Sequence, residues 1–317
     1  MSSDQNFYPS YRTCAEVTER CPVEATTYGY YPDLPANAFF AAAFGLLLIV
    51  GLIVGIRRKT WSYTAFLAVG AFGECVGYIG RILMHNNPWD SGAFQMQICC
   101  LVLSPSFVAG AIYLTMKHLV LYCGPQYSRL KPRLYPWVFV GCDLGSIILQ
   151  AIGGGVAASA GKSANRTLLD AGNGLIVAGI SFQVATMTVC GVLGADFFFR
   201  FFKTKPSSTT HEKPDKTPYE RDLSEPKNHR NFKIFCAAIA LAYLTVLIRC
   251  IYRIPEMAGG WGNPLMQRET EFLLLDGMMI LIAVFLMTIA HPGIFFPQMR
   301  KFGKKKTTTT PSAESSD

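Results

Sequence analysis

Seven stretches of this chain are apolar over about twenty residues or more, at 36–56, 61–84, 94–122, 134–159, 172–202, 232–252 and 272–296. At about 1.5 Å rise per residue, roughly 20 apolar residues cross a hydrocarbon core about 30 Å thick. The runs lack the alternation of barrel strands, and an open sheet would leave backbone groups unpaired in lipid. The pattern therefore predicts an all-α integral membrane protein, a bundle of seven transmembrane helices. A polar arm precedes it at 1–35, and the membrane domain runs over 36–302. Within that domain, 203–231 is rich in Lys, Pro, Ser and Thr and reads as a mobile cytosolic loop; 303–317 reads as a disordered cytosolic tail.

Composition leaves little room for anything else. Of 317 residues, 50% are hydrophobic and 16% charged, too few polar positions for a separate soluble domain. The arm is polar, aromatic and Pro-containing, without the basic start and short apolar run of a cleaved signal, so the first helix is expected to be its own insertion signal.

The distribution of Lys and Arg sets the expected orientation. Arg57, Arg58 and Lys59, then Arg129, Lys131 and Arg133, the dense basic set between 200 and 233, and Arg300, Lys301 and Lys304 to Lys306 all fall on one side of the bundle. By the positive-inside rule that side is cytosolic, which puts the N-terminus outside and the C-terminus in the cytosol. The net charge of +8 is thus a topology signal with some attraction for anionic lipid, and nucleic acid is not an expected partner. Two features fit the same orientation. Cys14 and Cys21 are the only cysteines of the arm, and an outside location allows them to form a disulfide. Asn165, Arg166 and Thr167 form a glycosylation sequon in an expected outer loop.

Ionisable groups inside the spans are costly and mark the candidate chemistry. Glu74 and Arg81 lie on the second helix, Asp143 and Gln150 on the fourth, Gln183 and Asp196 on the fifth, Arg249 and Arg253 on the sixth with Glu256 just beyond, and Asp276 on the seventh. Asp143, Ser146, Gln150 and Gly153 recur at three to four residues and form one polar stripe. Counting inward from the predicted ends places Glu74, Arg81, Gln150, Arg249, Arg253 and Asp276 in the outer half, with Asp143 deeper. Two readings are open: a polar cavity opening outward, or charges that pair and lock helices together. Gly70, Gly73, Gly77 and Gly80 form a stripe suited to close helix packing.

Several enzyme classes are set aside. The run Gly153 to Ser163 approaches a phosphate loop, but its first required Gly falls at Val156 and no strand precedes it. Only His118 and His291 lie in or near spans, too few for a metal site, and the seventh helix has no Lys for a retinal Schiff base. Neither a metal nor a cofactor is expected.

The ordered set Glu74, Gly77, Tyr78 and Arg81; Gln97, Pro105, Ile112 and Tyr113; Asp143, Ser146, Gln150 and Gly153 to Gly155; Gly179 and Gln183; Arg249, Tyr252, Arg253 and Glu256; Asp276; and His291, Pro292 and Gly293 resembles the fungal RTA-like lipid-translocating exporters. Ser104 stands where that family usually has Ala before its Pro, and either Glu269 or Glu271 matches the acidic residue ahead of Asp276. The resemblance implies a multi-pass, ATP-independent plasma-membrane protein, not an enzyme, that moves amphiphilic lipids or lipid-like toxins outward, with sphingoid long-chain bases as one substrate type. Membrane lipids or amphiphilic small molecules are then its partners. Carboxylates at Glu74, Asp143 and Asp276 would attract an amine headgroup, and Arg81, Arg249 and Arg253 would pair with them or with phosphate. A heptahelical lipid-responsive receptor that alters lipid asymmetry indirectly is the alternative.

Overall fold

The computed structural model describes residues 9–11, 13–163, 166–203 and 226–295. Each of the seven apolar runs is a helix: α1 (Leu34–Arg58), α2 (Trp61–Asn86), α3 (Ser91–Cys123), α4 (Leu134–Ser163), α5 (Arg166–Lys203), α6 (Pro226–Ala258) and α7 (Glu269–Ile289), with a short α8 (Pro292–Phe295) after them. No strand is present among the described residues, only an isolated bridge between Thr18 and Cys21.

Local sequence sets the helix ends. Asp33 caps α1 by accepting from the Ala36 amide at 3.0 Å, and Pro35 sits in the first turn, where its missing N–H is no loss. Asp90 does the same for α3 through the amides of Gly92 and Ala93. Lys59, with φ of 56°, ends α1 in the left-handed region and turns the chain directly into α2.

The helices close into a ring in chain order, α1 beside α2, α2 beside α3 and so on to α7 beside α1. α3 also touches α6 and α7 across the ring and is the most buried of the seven. Glycines set the closest approaches. A Cβ on Gly80 would stand 3.1 Å from the Ala93 carbonyl of α3, and one on Gly153 of α4 would stand 2.7 Å from the Gly172 carbonyl of α5. The α2 glycine stripe is thus a packing surface, as its spacing predicts.

The structure departs from the expected boundaries in three places. α4 and α5 leave only 164 and 165 between them, so the loop expected near 159–172 is largely helical; Asn165 itself lies outside the described residues. α6 begins at Pro226, inside the expected mobile loop, of which 204–225 is outside the description, as is the tail at 303–317. α7 is not one regular α-helix: between an α turn at Glu269–Phe272 and an α segment at Met279–Ile289 it runs through a π-helical stretch, Leu273–Met278.

The arm is a built element. Cys14 and Cys21 are joined by a disulfide, as expected, and pack with Trp89, whose indole donates to the Cys21 carbonyl at 3.1 Å. Tyr11 stacks on Phe94, Asn87 donates to the Ala15 carbonyl at 2.8 Å, and His85 bonds the Pro32 carbonyl at 2.7 Å. The arm therefore lies across the ends of α2, α3 and α7.

Candidate functional site

The site is an ion-pair network at the arm end of the bundle, with a separate acidic position deeper in it. On α6, Arg249 and Arg253 are one helical turn apart and face α7. Their Nε atoms stand 2.8 and 3.2 Å from the same Oδ1 of Asp276. Arg253 also pairs with Glu256 at 2.8 Å, one turn on, and Arg249 donates to the Leu101 carbonyl of α3. Asp276 sits in the π-helical stretch of α7, a distortion that recurs at functional positions because it re-aims side chains.

A second knot lies nearer the arm. Arg81, fully buried, donates from Nε to Asn37 of α1 at 2.9 Å and pairs through Nη2 with Glu269 at 2.8 Å. The same nitrogen donates to the Tyr30 hydroxyl at 3.2 Å, and the guanidinium lies over the rings of Phe272 and Tyr28, 4.4 and 5.3 Å from their centres. Glu269 also accepts from the Asp33 amide at 2.9 Å, while Gln97 donates to Tyr28 at 2.7 Å. Burial raises the pKa of the Tyr28 and Tyr30 phenols above their ordinary value, so both stay neutral at physiological pH. Glu271 takes the other direction and pairs with Arg268 on the surface at 2.8 Å. Glu269 is thus the acid ahead of Asp276 that joins the buried network.

These contacts answer the two readings for the arginines. Glu74, Arg81, Arg249, Arg253, Glu256 and Asp276 are each at most 4% exposed, with Tyr28 and Tyr30 of the arm against Arg81. Among the described residues these side chains are buried and mostly paired where the sequence predicted an outward-opening cavity, with Tyr28 and Tyr30 at the arm end.

Two carboxylates stay outside the pairing. Glu74 of α2 is fully buried near Arg249, Arg253 and Asp276, yet neither of its oxygens has a hydrogen-bond partner. Asp143 is 3% exposed, with Tyr113 of α3, Cys190 of α5, and Tyr243 and Cys250 of α6 around it; the Tyr113 hydroxyl is the one donor turned toward it among the described residues, and it has no ion-pair partner there. The predicted stripe on α4 is a buried face: Ser146 turns its hydroxyl to the Asp143 carbonyl at 2.7 Å, and Gln150 reaches Gln183 at 3.4 Å. Gln183 goes on to donate to Ser106 beside Pro105 at 2.8 Å. Cys250 of α6 lies between Asp143 and the ion-pair network, near Arg249 and Asp276. Asp196 is elsewhere, near the opposite end, held by Arg129 and Arg200 at 2.9 and 3.0 Å.

Sequence reasoning overlooked Asn37, Tyr28, Tyr30 and Phe272. Asn37 had a readable signal, an amide inside the first apolar run. The tyrosines had only their density in the arm.

Among the described residues no cluster of His, Cys, Asp or Glu has the arrangement of a metal site. The chain matches the family described as RTA1 like protein over residues 67–299. The sphingoid long-chain base transporter RSB1 of Saccharomyces cerevisiae (strain ATCC 204508 / S288c) is 33% identical over 285 residues, covering 84% of this chain and 74% of that protein. From the same strain, protoporphyrin uptake protein 1 is 28% identical over 76% of this chain and 71% of its own length, and protein RTA1 is 23% identical over 84% and 85%. No solved structure matches.

Proposed function

This chain belongs to the RTA1-like protein family, and from that premise we propose that it is an ATP-independent exporter of single-chain cationic amphiphiles of the sphingoid long-chain base type. Its place would be the plasma membrane, with the arm outside and the C-terminus cytosolic, and it acts as a transporter rather than an enzyme. The observation that carries the reading is Asp143. A carboxylate buried within a membrane span with no cationic partner and at most one phenol as donor is costly, and such positions are kept for ligands, ions or protons. An ammonium headgroup supplies the positive charge that Asp143 lacks and donors beyond the Tyr113 hydroxyl. Gln150 and Gln183 line the way from it toward the arm end, where Glu74 is the next unpartnered acid. Arg249, Arg253, Glu256 and Asp276 serve in this reading as the paired frame of the pathway, and Arg81 with Glu269 as its closure.

Direction is part of the proposal, since one relative is named a transporter and another an uptake protein. The test is reconstitution of the full chain in liposomes with a fluorescent sphingoid base and no nucleotide. Protein-dependent movement of the probe between leaflets is expected. A protein that binds the probe without moving it would instead act as the lipid-responsive receptor.

A further inference from the structure

Beside the closed network, the surface of the bundle is open on one flank. Between the start of α1 and the start of α7 lies a groove of about 550 Å³, within the ~300–1,000 Å³ range of small-molecule sites. Phe39, Leu274 and Met278 form its apolar wall, Phe40 its floor, and Asp33 and Thr270 its arm-end rim. Phe39 and Leu274 are 56% and 53% exposed, on a face that hydrocarbon covers. The floor is the partition to the network: Phe40 stacks on Tyr78 at 4.9 Å and packs against Gly277, next to Asp276. Phe40 alone thus stands between this flank and Gly277, and the flank brings a membrane component to within one side chain of the network.

We propose that this groove is a lateral docking site for one long-chain amine of the bilayer, its chain along Phe39, Leu274 and Met278 and its ammonium against Asp33. The apolar wall faces hydrocarbon, where the occupant is a lipid chain. Charge at the rim selects the headgroup. Asp33 is exposed and uses one carboxylate oxygen to cap α1, and Glu269 lies directly behind it, accepting from the Asp33 amide. The described lining holds no cation, and Arg81 and Arg253 are shut behind Phe272 and the floor. An anionic headgroup would meet carboxylates alone. The assignment deepens the transport reading and rests on it for its role, but docking is measured apart from flux.

The experiment uses the full chain in phosphatidylcholine nanodiscs with a long-chain alkyl amine carrying a diazirine at mid-chain, and the matching alkyl sulfate. After illumination, peptide mass spectrometry should find the amine on the segments containing Phe39, Leu274 and Met278, ahead of the sulfate. Leu274→Trp, at an exposed position that folding tolerates, should remove labelling by filling the groove. Asp33→Asn keeps an N-cap residue on α1 and should reduce the amine-over-sulfate preference about fivefold, the size of one exposed ion contact. Labelling spread evenly over the lipid-facing surface, equal labelling by amine and sulfate, or a preference untouched by Asp33→Asn would each overturn the site. Groove labelling without flux in liposomes sinks the transport reading and leaves the docking site standing; flux without groove labelling does the reverse.

Discussion

Arg249 and Asp276 meet at 2.8 Å between α6 and α7, while Asp143 makes no ion pair among the described residues. The pairing separates residues that hold the bundle together from one that is free to act on something else. Removing the Asp276 charge strands buried Arg249 and leaves Arg253 with Glu256 alone. Breaking a buried pair in this way typically costs about 3–5 kcal/mol. Asp276→Asn should therefore lower steady-state abundance and the melting temperature of the purified protein; an unchanged melt would show that the pair adds nothing to the fold.

Asp143→Asn makes the opposite case. No cation loses its partner, so abundance and melting should stay at parental levels. Flux of cationic amphiphiles should fall about tenfold, the loss of one charge-assisted hydrogen bond, while neutral amphiphiles are unaffected. Equal handling of both classes by the mutant would remove Asp143 from the pathway.

The disulfide closes a short loop, Cys14 to Cys21, and in the chain-entropy account such a loop contributes about 2–3 kcal/mol. That stabilisation belongs to the arm and not to the helices. Cys14→Ser with Cys21→Ser should thus leave the bundle's melting unchanged, yet expose the arm to proteolysis and shift Trp89 emission as its indole loses the Cys21 carbonyl. An arm as resistant as the parent would mean that Tyr11 and Tyr28 seat it unaided.

Orientation is tested directly. Protease added to intact cells should remove a tag placed before Phe7 and spare one placed after Asp317. Loss of the C-terminal tag without lysis would invert the arrangement inferred from Lys and Arg.

The seven spans were legible because a membrane leaves few ways to satisfy a backbone, and an unbroken apolar run is a direct consequence. The polar face of α4 was legible for a similar reason: Asp143, Ser146, Gln150 and Gly153 keep helical spacing, and helical spacing fixes which side is buried. Pairing was not legible. Arg249 faces α7 and not α4 because of how the ring closes, and nothing along α6 encodes that choice. The arm and its disulfide were legible, but its docking was not, because that comes from contacts with Trp89, Phe94, Gln97 and Arg81, all distant in sequence. The length of α4 and α5 was hidden by Gly161, Ser163, Gly172 and Asn173, residue types that usually mark a loop but here continue the two helices.

A π turn holds one residue more than an α turn. The stretch Leu273–Met278 therefore stores a one-residue offset within α7. If that turn tightened to α geometry, the two halves of the helix would rotate against each other by about 100°, the angle per residue of an α-helix. Glu269 with Arg81 sits on one half, and the segment packed on the core through Ile280, Ala283, Val284 and Met287 is the other. Both cannot keep their partners through such a turn, so the contacts at the two ends pin the offset, and the offset sets the aim of Asp276 toward α6.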